Sequence, residues 1–284
     1  MSGPIRIGIA GAGSIAFGTA SLLQTNNHDP MLWSPSGAGT SELNSARLRA
    51  TGAVETEFAP RIAQSAQELC EENDALIIAL PAYGHKDVMV ALSEHIRDGQ
   101  HVIISSHASM GAVFLAQALA KLGKRAPITA WGTTVVTGRR QDGTWVRVNT
   151  VRNRVDLCTV PEADNLDGLT LCQTLFGDRF QPRDGLLAIS LSNLNPQNHL
   201  GIALGNISRM ERGEVWSQGQ NVTPKLGRLL EQLDLERLAI AEKLGLEGRA
   251  GYYDHAGALV DMIQSHLLQV MAFVTMEPPS SLDQ

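Results

Sequence analysis

The segment Ser192–Asn206 reads SNLNPQNHLGIALGN. Asn193, Asn195, Asn206 and His199 stand there in an otherwise apolar stretch, where each polar group needs a partner or a ligand. Histidine exchanges its proton near neutral pH, so His199 is suited to protonate a carbonyl oxygen or an imine intermediate as hydride arrives. Asn195 is read as the cap of a helix whose first residue is Pro196, which puts His199 one turn in. The positive end of the helix dipole disfavours imidazolium there unless a carboxylate offsets it. Asn206 falls two turns further on and can share the face of His199. The bland alternative is a buried network of amides and imidazole that only joins helices.

A second constellation opens the chain. In IRIGIAGAGSIAFGTA, Gly11, Gly13 and Ala16 have the G-x-G-x-x-A spacing of a dinucleotide-binding turn. One glycine makes the tight turn, one lets a phosphate approach, and a small residue lies where helix meets strand. Ser14 and Ile15 open the helix, whose N–H groups can hold a pyrophosphate. A turn needed only for packing is the competing explanation. An NAD site places Asp or Glu at the end of the second strand. Here Ser34, Pro35, Ser36 and Gly37 stand in that place, with Thr40 behind them, and the nearest acids, Asp29 and Glu42, fall at the wrong ends. Hydroxyls suit a 2′-phosphate that a carboxylate would repel, so NADP(H) is expected over NAD(H). Arg47 or Arg49 could reach the phosphate from the next predicted helix. Leu80, Pro81 and Ala82 give a smooth backbone edge for a nicotinamide, and His85 follows as a helix-end residue or a contact. Thr134, Asn193, Asn195 and Asn206 are the candidate substrate contacts. A substrate carboxylate would want a base, and Arg139, Arg140, Arg147, Arg183 and Arg209 are all available.

The elements that must position these groups follow from periodicity. Apolar runs at Ile5–Ala10, Met31–Trp33, Val54–Phe58, Ala75–Leu80, Val102–Ser105 and Ile128–Trp131 predict strands. Helical patterns alternate with them near Ile15–Gln24, Ser41–Ala50, Ala63–Glu72, Lys86–Ile96 and Met110–Leu122. This is the order of a parallel sheet wrapped by helices. Past Trp131 the pattern alternates like antiparallel strands with QDGT as a hairpin turn, then a helix at Asp167–Phe176 and a short strand at Arg179–Gln181. From Asp184 only helices are predicted, one capped by Thr223-Pro224 and stopped by Gly245. The fold class is therefore α/β, a Rossmann-type domain over 1–183 followed by an all-helical domain over 184–284. The apolar LLQVMAFV near the end is read as a homodimer surface.

Composition narrows the partners. At 284 residues the chain is long enough for two cores, and its formal charge of −6 argues against a nucleic-acid surface. Cys70, Cys158 and Cys172 show no metal-ligand spacing and read as buried thiols of a reducing compartment. No stretch reaches membrane-spanning length and the first residues carry no cleavage pattern, so a cytoplasmic protein acting on small molecules is expected.

The order of G-x-G-x-x-A, then PAYGH, then LSNLNPQNH in a helical second domain, then LEQLDLERLAIAEKLGL, resembles the octopine/opine dehydrogenase family over essentially the whole chain. The resemblance implies that a 2-oxo acid or ketone and an amine form an imine, which NAD(P)H reduces to a secondary amine. It implies that His199 is the proton-transfer residue. Family members are longer and carry a catalytic aspartate in an Arg-Tyr-x-x-x-Asp-Val-Pro segment. This chain stops at MEPPSSLDQ, which resembles the run just ahead of that segment, so either the sequence is truncated or the protein works without that aspartate, using Asp254 or Asp261. Two other readings compete. A ketopantoate reductase type would reduce an oxo acid without an amine and would use a lysine of the helical domain, where Lys225 and Lys243 are the only ones. A non-catalytic NADP-binding sensor would need no aspartate.

Overall fold

The computed structural model describes residues 3–106 and 110–246. The chain runs through β1 (Arg6–Ala10), α1 (Ser14–Thr25), β2 (Asp29–Trp33), a 3-10 turn at Ser41–Asn44, β3 (Leu48–Gly52), β4 (Thr56–Phe58) and β5 (Arg61–Ile62). It continues with α2 (Ala66–Glu71), β6 (Ala75–Ile78), α3 (His85–Ser93), β7 (His101–Ile104), α4 (Gly111–Lys121) and β8 (Ile128–Trp131). Then come β9 (Val136–Asp142), β10 (Trp145–Val151), β11 (Val155–Val160), α5 (Asn165–Phe176), β12 (Phe180–Pro182) and α6 (Gly185–Ser192). The last described elements are α7 (Asn195–Gly205), α8 (Ile207–Glu211) and α9 (Pro224–Lys243). Two compact units divide between Ser190 and Leu191.

In the first unit the principal sheet has the order β12-β11-β8-β7-β6-β1-β2-β5. Its strands from β5 to β8 are parallel, and β11 runs antiparallel to β8. The apolar runs ALII and HVII suit strands covered on both faces. Period-2 alternation sends their side chains to two cores. Ile77 and Ile103 join Ile7 and Ile9 on the face of α1 and α5. Leu76, Ile78, Val102 and Ile104 join the face of α2, α3 and α4. Cys70, Cys158 and Cys172 are free and buried, and burial pushes all three thiols up to about 12.

A second sheet of order β4-β3-β10-β9 covers the outer side of α1. This explains the composition of that helix: Ala16 to Leu23 are buried without a break, where a helix with one solvent face would be amphipathic. Gly18 lets Val136 come close, since a Cβ there would stand 3.1 Å from its Cγ2.

This sheet corrects two expectations. The predicted helix over Ser41–Ala50 is a short 3-10 turn followed by β3, in which Leu48 and Ala50 are buried and Arg49 is exposed. The predicted strand Val54–Phe58 is shorter and pairs with β3, away from the principal sheet. β3 lies parallel to β10, a partner nearly 100 residues away in sequence, so its alternation makes sense only when that partner is present. The helix expected from Ala63 begins instead at Ala66, because Arg61–Ile62 pair with β2 and Ser65 caps the helix through the Glu68 N–H at 3.1 Å.

Among the described residues of the second unit, every regular element is a helix. Gly201 and Gly205 of α7 make a smooth strip one turn apart, and Leu230 and Leu226 of α9 fill it. Ile202, Trp216 and Val222 complete this small core. Thr223 caps α9 through the Leu226 N–H at 3.3 Å, Pro224 opens it, and Gly245 follows its end with φ +67°. Asp254, Asp261 and LLQVMAFV lie outside the described residues.

Candidate functional site

The glycine turn closes the carboxyl end of β1. Gly11 has φ +143° and lies directly against the Ala79 carbonyl beyond β6, a place only glycine can take. Its N–H donates to the Trp33 carbonyl at 2.8 Å, so the turn is tied to the end of β2. Ala16 is fully buried beneath it. Gly13 is the N-cap of α1, and nothing lies within 4 Å of where its Cβ would be. The first turn of α1 carries no acid, its cap supplies no side-chain acceptor, and its N–H groups have no acceptors within the helix. The Ser14 hydroxyl accepts the Arg140 N–H at 2.9 Å, while Ile15 is half-buried.

The loop after β2 folds back over this turn. The Gly37 N–H donates to the Ser34 carbonyl at 2.8 Å, and buried Thr40 donates its hydroxyl to the Gly37 carbonyl at 3.3 Å. Gly39 is pressed between Ala12 and Ser34: a Cβ there would be 2.7 Å from the Ala12 Cβ and 3.1 Å from the Ser34 Oγ. Pro35 and Ser36 are exposed. Of the two nearby acids, Asp29 is paired with Arg61 at 3.0 Å, and the Glu42 carboxylate lies against Gly143.

Arg47 and Arg49 do not come from a helix, which corrects their expected approach. Arg47 donates to the Glu57 carbonyl at 3.0 Å, and Arg49 lies over the Trp145 ring at 5.3 Å. The arginine at the glycine turn is Arg140 on β9, whose Nη1 is 3.3 Å from the Ala12 carbonyl oxygen. No local pattern marks it, because the contact spans 128 residues.

Leu80, Pro81 and Ala82 lead from β6 into a 3-10 turn at Ala82–Gly84, with Pro81 and Ala82 exposed. His85 opens α3 and is buried, with Nε2 2.9 Å from the Leu80 carbonyl oxygen. Burial pushes its pKa down, and the bond to Leu80 opposes that only in part. The ring therefore acts as a neutral bolt across this turn.

Thr134 is buried and donates to the Val136 carbonyl at 2.6 Å. Arg183 is paired with Asp156 at 2.8 Å and Arg209 with Glu214 at 2.9 Å, whereas Arg139 and Arg147 face solvent on the second sheet.

In the second unit, by itself, His199 lies half-buried in the second turn of α7, four residues after Asn195. The expected cap is corrected: α7 already includes Asn195, its N-cap is Leu194 with no side-chain cap, and the Asn193 Oδ1 accepts the Asn195 N–H at 3.0 Å. A side chain preceding the helix can reach that N–H, whereas Asn195 is already in helical register. The Asn206 amide is buried and donates to the carbonyls of Ile202 at 3.0 Å and Asn221 at 3.3 Å. Lys225 and Lys243 are both exposed. Among the described residues no group of His, Cys, Asp or Glu could hold a metal ion, and no helix is long and apolar enough to cross a membrane.

A twisted, mainly parallel sheet with a glycine turn at the carboxyl end of its first strand defines a Rossmann-type dinucleotide-binding fold. The model of the family described as Ketopantoate reductase PanE/ApbA matches residues 7–158, and the chain belongs to that family. It is also related to the opine dehydrogenase of Arthrobacter sp. (strain 1C), 28% identical over 180 residues, 62% of this chain and 49% of that protein. Octopine dehydrogenase solved with NADH and agmatine shares the fold, with TM-score 0.61 and 15% identity over 72% of this chain and 54% of that one. So does yersinopine dehydrogenase with NADP+ bound, with TM-score 0.60 and 18% identity over 75% of this chain and 56% of that one.

The C-terminal portion carries a different likeness. Residues 232–284 match the model of the glucose-6-phosphate dehydrogenase C-terminal domain. The glucose-6-phosphate 1-dehydrogenase of Rhizobium meliloti (strain 1021) is 55% identical over 51 residues, 18% of this chain and 10% of that protein. The expectation of a single resemblance along the whole chain is corrected accordingly. The closing MEPPSSLDQ falls in the stretch matched to this second model, which begins inside α9. The chain spans about half of the Arthrobacter opine dehydrogenase and a tenth of the Rhizobium enzyme.

Proposed function

We propose that the chain is an NAD(P)-dependent oxidoreductase of the opine dehydrogenase type. Its substrates are a 2-oxo acid or ketone and an amine or amino acid, which join as an imine that is reduced to a secondary amine. The kinship with opine dehydrogenase over 180 residues carries this reading. The open, acid-free face of the glycine turn fits a pyrophosphate.

Gly13, Ser14, Ile15 and Ala16 would hold that pyrophosphate through the first turn of α1. Ser34 and Ser36, with Pro35 between them and Thr40 behind, would hold the adenosine ribose. NADP(H) is favoured because Ser34, Pro35 and Ser36 stand at the end of β2, where an NAD site places a carboxylate. Leu80, Pro81 and Ala82 would border the nicotinamide, their turn kept in shape by His85. The bound cofactor supplies the hydride that reduces the carbon–nitrogen bond. His199 would hold the proton that the substrate nitrogen takes up. Three buried free thiols agree with a cytoplasmic setting.

A second reading, reduction of an oxo acid alone, is favoured by the family model over residues 7–158. The exposure of Lys225 and Lys243 weighs against a lysine-based version of it. NADPH oxidation measured with 2-oxo acids alone, amines alone and both together separates the readings. Consumption that requires both substrates supports imine reduction, and consumption with the oxo acid alone supports the second reading. Tight NADPH binding with no consumption under any combination points to a cofactor-binding sensor.

A further inference from the structure

We propose that Arg140 is the cationic partner of the cofactor's 2′-phosphate and therefore sets the preference for NADP(H). The inference rests on the NADP reading above and supplies what that reading lacks, a positive charge. The loop after β2 has hydroxyls and glycines but no base, and Arg47 and Arg49 are held by Glu57 and Trp145. Arg140 reaches the adenosine side of the turn from the other sheet. Its backbone N–H donates to the Ser14 hydroxyl at 2.9 Å, and its Nη1 donates to the Ala12 carbonyl at 3.3 Å. Its Nη2 donates to the Gly143 carbonyl, and its Cζ lies 4.9 Å from the centre of the Phe17 ring.

Ala12 is the meeting point. Arg140 borders it through its carbonyl, while Gly39 of the loop after β2 closes on its Cβ and carries Ser34 on its other side. The guanidinium and the loop after β2, at Gly39, thus flank one residue beside the open N-terminus of α1. Among the described residues Arg140 has carbonyls and a ring as partners and no ion-paired carboxylate, so its charge is available. The long Ala12 contact is the weak one, and a phosphate oxygen would be a stronger acceptor for a guanidinium fork than a carbonyl. Glu42, lying against Gly143, is the nearby acid that a 2′-phosphate must contend with.

The test is equilibrium binding of NADPH, NADH and 2′,5′-ADP to the full chain and to R140Q, R140K and E42Q, with thermal unfolding of each. R140Q keeps a side-chain donor for the turn while losing the charge. The expected result is a loss of about tenfold or more in NADPH and 2′,5′-ADP affinity in R140Q, with NADH changed less than about threefold. R140K should recover part of the loss, and E42Q should bind NADPH more tightly. Equal weakening of NADPH and NADH would make Arg140 only a clamp on the turn and overturn the proposal. An unmodified chain that prefers NADPH by about tenfold, with R140Q unchanged, would keep the NADP reading and remove Arg140 from it. Equal affinity of the unmodified chain for both cofactors would overturn both.

Discussion

Gly11 and the Ala79 carbonyl are so close that a Cβ on Gly11 would stand 2.2 Å from that oxygen. With φ at +143°, the position is closed to any other residue on two independent grounds. Gly13, two residues on, faces open space. The two glycines of one spacing therefore serve different purposes. Gly11→Ala should lower stability by about 2 kcal/mol or more through strain and backbone clash. Gly13→Ala should cost under about 1 kcal/mol yet weaken NADPH binding by about tenfold, because its methyl would occupy the phosphate approach. Thermal unfolding and cofactor titration on both variants check the contrast; a Gly13→Ala chain with unaltered NADPH affinity would dismiss the phosphate site.

Ser36→Asp places a carboxylate on the exposed loop after β2, where the adenosine ribose is proposed to lie. The NADPH preference should be erased or reversed, a change of at least about 1.4 kcal/mol in relative affinity. Paired titrations with NADPH and NADH read it directly. No change in their ratio would mean that this loop does not meet the 2′ position.

His199→Ala and His199→Asn should lower turnover by roughly 10²–10⁴-fold while leaving NADPH affinity nearly unaltered. Single-turnover reduction, cofactor binding and thermal unfolding measured together separate a proton donor from a packing residue. A variant that melts earlier but turns over normally would show His199 to be structural.

His101 carries a pH prediction. Its Nε2 lies 2.6 Å from the Thr129 hydroxyl, which is 2.9 Å from that of Thr159. Burial lowers the His101 pKa from 6.5 to about 4, against the upward pull of Asp164 and Asp167. The unfolded chain therefore takes up this proton at a higher pH than the folded one. The contribution is intact above pH 6.5 and is lost as pH falls from 6.5 toward about 4, by about 1.4 kcal/mol per unit. His101→Gln should flatten that slope in urea unfolding between pH 7 and about 4.5. An unaltered slope would assign the pH dependence to other groups.

The features legible in the sequence are those that one segment expresses alone. The G-x-G-x-x-A spacing announces a turn that glycine must make, and alternation across Leu76, Ile77 and Ile78 announces a strand covered on both faces. Thr223-Pro224 and Gly245 mark the ends of α9 through local backbone geometry. Tertiary structure decided the rest. Leu48–Gly52 is a strand because β10 lies beside it, and the uniform burial of α1 needs a second sheet over its outer side. Arg140 reaches the glycine turn across 128 residues, and Arg47 and Arg49, far closer in sequence, do not. Periodicity reports only whether a residue is buried. Which surface buries it, and which side chain arrives from a distant strand, depends on pairings between segments that no single segment encodes.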